Sequence, residues 1–325
     1  MRGKRILVTG GAGFIGSHLI DKFILGGAKI TALDNLATGN IKNLNSVVEK
    51  ITYVQGDIRD RELVEGLVQD CDLVVHLAAA LGVKNIMEKT VESISTNIYG
   101  SEVILSSSAK FNKKILIAST SEVYGKNPKQ PLSENDDRVI GTPQNIRWSY
   151  SDAKAIEEAM AQALFYEKRL QVVTVRFFNT VGPRQTGQYG MVIPRFVKNA
   201  LEGKDLEIYG DGSQSRVFCH VDDATDGVLK LLKEDKAVGE VFNIGGIGEI
   251  SILDLAKKVI ELTKSESQIK FRNYEEIYGS GFEDMQRRVP NIEKIKNFVD
   301  WEPKQSLENI INDVSEYLLL NPNRD

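Results

Sequence analysis

The chain is poor in the features that most readily announce a function. It has two cysteines, Cys71 and Cys219, in 325 residues. They have no metal-ligand spacing and cannot build a disulfide framework. Both sit among apolar neighbours, so buried, inert thiols are expected, no metal site is expected, and so sparse a complement suits a reducing cytoplasm. Excess charge of one sign is also missing: 41 Lys and Arg stand against 45 Asp and Glu, a net charge of −4. No basic field marks a partner such as nucleic acid or an anionic membrane, whereas a dinucleotide or sugar nucleotide, held by loops and single arginines, stays admissible. The longest apolar run, Leu73 to Val83, is too short to span a bilayer and is broken by His76. From Arg2 to Val8 the chain passes into a strand without the apolar stretch of a signal peptide, so a cytoplasmic location is expected. There is no internal repeat and no low-complexity segment. What is left is an ordinary composition, 42% hydrophobic and 26% charged, long enough for one large or two coupled domains.

The first half alternates. Apolar runs at Ile6–Thr9, Lys29–Leu33, Ile51–Val54, Leu73–His76, Lys114–Ala118 and Val172–Arg176 read as strands. Between them, Ile15–Gly26, Asp60–Gln69, about Val91–Phe111 and Ser149–Lys168 read as helices. Continuous apolar strands alternating with helices predict an α/β fold: a doubly wound parallel sheet covered on both faces. The second half is less regular. Helices are expected at Ile193–Glu202, about Asp222–Lys233 and Ile252–Lys264, with strands at Leu206–Tyr209 and Val241–Ile244 and a turn at Gly210–Gly212. A Rossmann domain over residues 1–178 plus about 213–243 is expected, with a smaller C-terminal α/β substrate-binding domain over about 179–212 and 244–325.

Two constellations carry chemistry. Gly10-Gly11-Ala12-Gly13-Phe14-Ile15-Gly16 follows a strand and opens a helix, the context a dinucleotide fingerprint needs. Gly10 permits the tight turn, Gly13 lets the backbone approach a pyrophosphate at the positive helix end, and Gly16 lets helix and strand pack closely. A plain glycine-rich turn would satisfy the same letters, but Asp34 ends the second strand about 20 residues on, where the fingerprint wants an acid for a ribose 2′-hydroxyl. Asn35 and Leu36 follow it rather than an arginine, which favours NAD over NADP. The second constellation is Tyr150-Ser151-Asp152-Ala153-Lys154. Tyr150 and Lys154 share one helix face; an ammonium beside a phenol favours phenolate, so Tyr150 is expected to serve as a general base. Alone such a pair could be a surface contact.

Together with Asp57-Ile58, His76-Leu77-Ala78-Ala79, Asn97, Ser119-Thr120-Ser121, Arg176-Phe177-Phe178-Asn179 and Gly182-Pro183-Arg184, these motifs resemble the extended short-chain dehydrogenase/reductases, the NAD-dependent epimerase/dehydratase family, collinearly from residue 5 to about residue 305. The resemblance implies a nucleotide-sugar substrate, a tightly held and recycled NAD, and a homodimer joined through helices such as the one from Ser151. It implies that Thr120 or Ser121 meets the reacting sugar hydroxyl beside Tyr150, and that Asp57, Ile58, Leu77, Ala78, Ala79 and Asn97 belong with Gly10, Gly13, Phe14, Ile15, Gly16, Asp34 and Asn35 around the cofactor. Lys154 would also hold the nicotinamide ribose. Asn179, Ile208, Tyr209 and Arg216 are similar to the family's nucleoside-diphosphate site, an arginine being suited to a diphosphate by its forked donors. His220 reads as a satisfied core histidine and His18 as a helix-surface residue.

The reaction is divided among alternatives. Thr120-Ser121-Glu122, with Arg288 shortly before Pro290 and then Trp301-Glu302-Pro303, resembles UDP-glucuronate decarboxylases; Arg147-Trp148 is shared with bacterial decarboxylases of the 4-amino-arabinose pathway. Simple 4-epimerases tend to carry small residues at the Glu122 position. GDP-mannose dehydratases share Thr-Ser-Glu, but their NADP-binding arginines are absent. On this resemblance Thr120, Glu122, Tyr150, Lys154 and Arg288 are the expected catalytic set, with Arg288 also anchoring substrate. The products to distinguish are UDP-xylose from UDP-glucuronate, a 4-epimer, and a 4-keto-6-deoxy sugar. Two segments depart from the decarboxylase pattern: residues 182–191, and the approach to Arg288 over residues 278–284. A pure NAD sensor usually loses the Tyr or the Lys, and both are present.

Overall fold

The computed structural model describes residues 1–187, 191–278, 283 and 285–322, with the side chains of 83–85, 275 and 278 left aside. Parts of both departing segments therefore lie outside the described residues: 188–190, and 279–282 with 284. The strands are β1 Arg5–Thr9, β2 Lys29–Asp34, β3 Ile51–Gln55, β4 Leu73–His76, β5 Lys114–Thr120, β6 Val172–Phe177, β7 Thr180–Val181, β8 Leu206–Tyr209, β9 Ser215–Arg216, β10 Cys219–His220, β11 Val241–Ile244, β12 Ile250–Ser251, β13 Ile269–Arg272 and β14 Arg287–Arg288. The helices are α1 Phe14–Leu25, α2 Arg61–Gln69, α3 Val83–Glu88, α4 Thr90–Ser95, α5 Ser101–Lys110, α6 Ser149–Lys168, α7 Val192–Leu201, α8 Val221–Lys233, α9 Ile252–Thr263, α10 Tyr274–Tyr278, α11 Glu293–Val299 and α12 Leu307–Leu320.

Seven strands form one parallel sheet in the order β11-β6-β5-β4-β1-β2-β3. The chain winds outward from β1 through β2 to β3, returns to β4, and winds the other way, so the order reverses between β1 and β4. Alternation along each strand divides the core. Ile6 and Val8 face the layer holding Leu19, Ile20 and Phe23 of α1 and Val228 and Leu231 of α8, while Leu7 between them faces Val64, Val103, Ile104 and Ala161 of α2, α5 and α6. A third core joins Phe196 and Val197 of α7, Leu206 and Ile208 of β8, Leu255 and Val259 of α9 and Ile310, Ile311 and Val314 of α12.

One element departs from expectation. The helix anticipated at 91–111 is interrupted by a π turn at Thr96–Gly100, where the Asn97 amide leaves the helix to bond both backbone groups of Ala80, at 2.7 and 2.9 Å. On α6, the sheet-facing side is lined by small residues, with Ala153 and Ala161 each 1% exposed, while Ile156 is 45% exposed. Small side chains let a helix approach a sheet that already carries bulky valines and isoleucines.

Candidate functional site

The reversal between β1 and β4 leaves a crevice at the carboxyl ends of the strands, where ligands of open α/β sheets bind. A cavity of about 680 Å³ opens there. At its floor the β1–α1 turn is shaped by glycine. Gly10 has φ +69°, and a Cβ on Gly16 would lie 2.2 Å from the Gly10 oxygen, so any side chain there would drive α1 off the turn. Helix α1 starts at Phe14 with no side-chain cap and no acidic residue in its first turn. Its N-terminal N–H groups are thus presented to the cleft, a seat for an anion such as a pyrophosphate. Asp34 closes the other end. Its buried carboxylate accepts from the Ala12 N–H at 3.0 Å and the Leu36 N–H at 2.8 Å. Burial pushes its pKa up, and these backbone bonds oppose the rise. The floor therefore fits NAD: an uncapped helix end for phosphate, and beyond it a carboxylate for ribose hydroxyls.

Of the residues expected at the site, Gly10, Gly13, Phe14, Ile15, Gly16, Asp34, Asn35, Ile58, Leu77, Ala78, Ala79, Thr120, Ser121, Glu122, Tyr150, Lys154, Asn179, Tyr209, Arg216 and Arg288 all line this one cavity. Three do not. The Asp57 carboxylate turns aside to a fork from Arg59 at 2.9 and 2.7 Å and to the Asn35 amide, and that hydrogen bonding holds its pKa down at about 2. Asn97 spends its amide on Ala80 and shapes the loop after β4 from behind. Ile208 is fully buried in the third core, because it alternates with Tyr209 along β8 and only Tyr209 points to the cleft. His18 is half-buried and its ring bonds the Pro183 oxygen at 2.9 Å, so it is not a surface residue; His220 is buried and its Nδ1 accepts the Asp222 N–H at 3.0 Å, capping α8. Burial pushes the Cys71 thiol up to about 11 and moves Cys219 upward as well. Among the described residues no group of His, Cys, Asp and Glu could hold a metal ion.

The reactive corner lies where β5 ends. Thr120 closes β5 and accepts the Glu122 N–H at 3.2 Å in the tight turn that follows. Glu122 then meets two cations. The Arg147 guanidinium donates to both its oxygens, at 2.5 and 3.0 Å, and Arg288 donates to one at 3.2 Å. Burial pushes the Glu122 carboxyl up, but the Arg147 and Arg288 charges outweigh it and hold the pKa down at about 2. Arg147 lies one turn before Tyr150 and was not among the expected catalytic residues; its spacing from Tyr150 was the available signal. Arg288 arrives by a route no spacing discloses: β14 pairs with β9 in the register Arg288 to Arg216, setting two cleft arginines side by side. Tyr274 lines the same cavity and its hydroxyl accepts from the Gln214 amide at 3.0 Å, again without a sequence motif to mark it.

One expectation about Tyr150 reverses. Its phenol is pushed above its ordinary range, first by burial and then by the Glu122 and Glu157 carboxylates; Thr120 and the Arg288 charge act the other way. The Lys154 ammonium donates to the Ala118 oxygen at 2.8 Å and to Glu157 at 2.7 Å. Arg176 of the Arg-Phe-Phe-Asn motif is structural, forking onto Glu158 and bonding the Tyr124 hydroxyl.

The family model described as GDP-mannose 4,6 dehydratase matches residues 7–314. The chain belongs to this family of NAD-dependent nucleotide-sugar epimerases and dehydratases. Among curated relatives, UDP-N-acetyl-alpha-D-glucosaminuronate decarboxylase of Bacillus cytotoxicus is 43% identical over 94% of this chain and 94% of its own length. UDP-glucuronic acid decarboxylase 1 of Xenopus tropicalis is 34% identical over 97% of this chain and 72% of its own. Among solved structures, UDP-glucuronic acid 4-epimerase from Bacillus cereus, in complex with UDP-glucuronic acid and NAD, superposes with a TM-score of 0.87 at 28% identity, covering 97% of this chain and 99% of that one. The doubly wound α/β architecture is the family's own.

Proposed function

We propose that the chain is an NAD-dependent decarboxylase of a UDP-linked uronic acid, UDP-glucuronate giving UDP-xylose. The observation that carries this reading is the Arg147–Glu122–Arg288 cluster beside Thr120 and Tyr150. A 4,6-dehydratase must take a proton from sugar C5. A carboxylate held at about 2 is a weak base for that task. Decarboxylation needs no base at C5, and it does need cations near the substrate carboxylate, which the two arginines supply.

NAD, when bound, takes up a hydride from sugar C4 and gives it back, so there is no net redox change. The chain's residues do the rest. Tyr150 takes the proton of the C4 hydroxyl, with Thr120 orienting that hydroxyl; the positive charge of Lys154 and of a bound NAD would favour the phenolate this needs. The resulting ketone lies β to the C6 carboxylate, and a β-keto acid loses CO2, the electrons of the broken C5–C6 bond leaving an enolate that takes a proton from solvent at C5 and so restores the C4 ketone. Arg288 and Arg147 hold the carboxylate end. Glu122 keeps the arginines in place as their shared anion, and because it is ionised it is not the acid that protonates C5. Tyr150 finally returns its proton to the C4 oxygen. Lys154 orients the nicotinamide ribose, and Asn179, Tyr209 and Arg216 hold the nucleoside diphosphate. The residues named along the cofactor floor are part of the same proposal, as is the division into 1–178 plus about 213–243 and 179–212 plus 244–325.

The relationship to the Bacillus cytotoxicus enzyme supports a 2-acetamido uronic acid as a second candidate substrate. The superposition on the Bacillus cereus epimerase supports 4-epimerisation of a UDP-uronate as the second reaction. A homodimer is proposed through α6, where Ile156 and Tyr166 are exposed. No helix among the described residues is long and apolar enough to cross a membrane, and a cytoplasmic site of action is part of the proposal.

The test is incubation of the protein with UDP-glucuronate, UDP-N-acetylglucosaminuronate and UDP-glucose, each followed by proton NMR. CO2 release with a UDP-pentose supports the proposal. A 4-epimer without CO2, or a 4-keto-6-deoxy sugar, replaces it with the matching alternative. Tyr150→Phe should lower turnover by roughly a hundredfold to ten-thousandfold while leaving NAD affinity within a few fold.

A further inference from the structure

Glu283 joins two segments that carry arginines into the reactive corner. Its Oε2 accepts the Trp148 indole N–H at 3.0 Å and the Lys126 ammonium at 2.9 Å. Trp148 is fully buried, and among the described residues Glu283 is the acceptor for its N–H. A buried indole N–H without a partner is costly, so this bond is a requirement of the fold. The backbone leaves room for it. A Cβ on Gly141 would lie 2.3 Å from the indole nitrogen and 2.9 Å from the Glu283 oxygen, so a side chain there would drive the two apart. The Lys126 bond is of another kind: its two side chains are 38% and 40% exposed, and water screens the pair.

Each end of the indole bond stands near one arginine. Trp148 follows Arg147, whose guanidinium lies 5.3 Å from the centre of the indole ring. Glu283 precedes Arg288 on the segment that leads into β14. Just beyond Arg288 that segment is sewn to the loop after β5. The Gln130 carboxamide accepts the Val289 N–H at 2.9 Å and donates to the Arg287 oxygen at 3.2 Å, and the Leu132 N–H donates to the Val289 oxygen at 2.8 Å. Before Arg288, the tie to the turn carrying Arg147 is Glu283. We propose that Glu283 is a positioning residue: by holding the Trp148 indole it fixes the separation of the Arg147 and Arg288 guanidinium groups, and with it the seat for the substrate carboxylate. This rests on the reading of those arginines as the cations at sugar C6. Glu122 bonds the charged ends of both arginines; Glu283 fixes the segments behind them. It does not line the cavity and acts only through the arginines.

The experiment compares UDP-glucuronate with UDP-glucose, which differ in a carboxylate against a hydroxymethyl group at C5. Dissociation constants are measured by isothermal titration on the NAD-loaded full chain, in a Tyr150→Phe background that slows turnover. Glu283→Ala should cut the preference for UDP-glucuronate by about tenfold and leave UDP-glucose within about twofold, because a small displacement of paired charges acts on the carboxylate alone. Glu283→Gln, whose amide oxygen still accepts the indole N–H, should restore most of the preference. Lys126→Met, which removes only the exposed ion pair, should leave it unchanged. NMR on nitrogen-labelled tryptophan should show the Trp148 N–H signal, assigned by its loss in Trp148→Phe, moving in Glu283→Ala and staying in Lys126→Met. A preference that survives Glu283→Ala overturns the proposal. So does an equal loss for both nucleotide sugars, the mark of a merely structural role, or a Lys126→Met that loses as much as Glu283→Ala. Should Glu283→Ala fail to fold, Gly141→Ala, which parts indole and carboxylate without changing a charge, carries the test with the same readings. Arg288→Gln in the same assay separates the two failures. A parent without the preference, or an Arg288→Gln that keeps it, removes the carboxylate reading itself; an Arg288→Gln that loses it beside a Glu283→Ala that does not removes only the positioning role.

Discussion

Arg147→Met isolates the cluster on which the functional reading depends. The substitution keeps a long apolar stem and removes the guanidinium that forks onto Glu122, leaving Arg288 as the remaining cation on that carboxylate among the described residues. The ordinary value of 4.5 for Glu122 falls to about 2 in the fold. At about 1.4 kcal/mol per unit this corresponds to roughly 3 kcal/mol of folding stability. The sign follows from the direction. A depressed carboxyl contributes above its unfolded value, near 4.5, and the contribution is lost as the pH falls toward 2. Arg147 is the larger of the two arginine influences, so Arg147→Met should lose about 2 kcal/mol at pH 7, a drop of roughly 3 °C in melting temperature for a chain of this length. Melting followed by circular dichroism at pH 7 and at pH 3 is the assay, and the gap between variant and parent should narrow at the lower pH. A variant that melts with the parent at pH 7, or a gap that does not depend on pH, refutes the reasoning. Decarboxylation should also fall, more in kcat than in the KM for substrate, because the arginines act on charge that moves during the reaction.

Arg288→Gln should weaken the same carboxylate grip with less cost to folding, and steady-state kinetics should show at least a tenfold loss in kcat/KM with melting nearly unchanged. Asp34→Asn should raise the NAD dissociation constant by about tenfold and narrow the preference over NADP, since repulsion of a 2′-phosphate is lost; isothermal titration with both cofactors checks it. Gly16→Ala should cost roughly 1–3 kcal/mol or more, because its Cβ meets a backbone oxygen rather than a movable side chain; NAD titration and melting should fall together, and a stable, NAD-binding Gly16→Ala protein would contradict the packing described.

Local patterns were enough to determine the parallel sheet, the nucleotide turn and the Tyr150/Lys154 helix. Each is a short-range matter: apolar strands spaced by helices, glycines at fixed offsets, and two side chains one turn apart. The same kind of pattern misled where direction mattered. Ile208 and Tyr209 are neighbours in sequence, but strand pleating sends one to the core and the other to the cleft. Asn97 and Asp57 carry family motifs, yet backbone and Arg59 partners claim their side chains. Tertiary structure alone decided the electrostatics. Arg288 reaches Glu122 from 166 residues away through the pairing of two short strands. Lys154 is paired with the buried Glu157 under a histidine delivered by β4. A charge acts through distance and burial, and both are properties of chain segments brought together by the fold, which no spacing along one of them records.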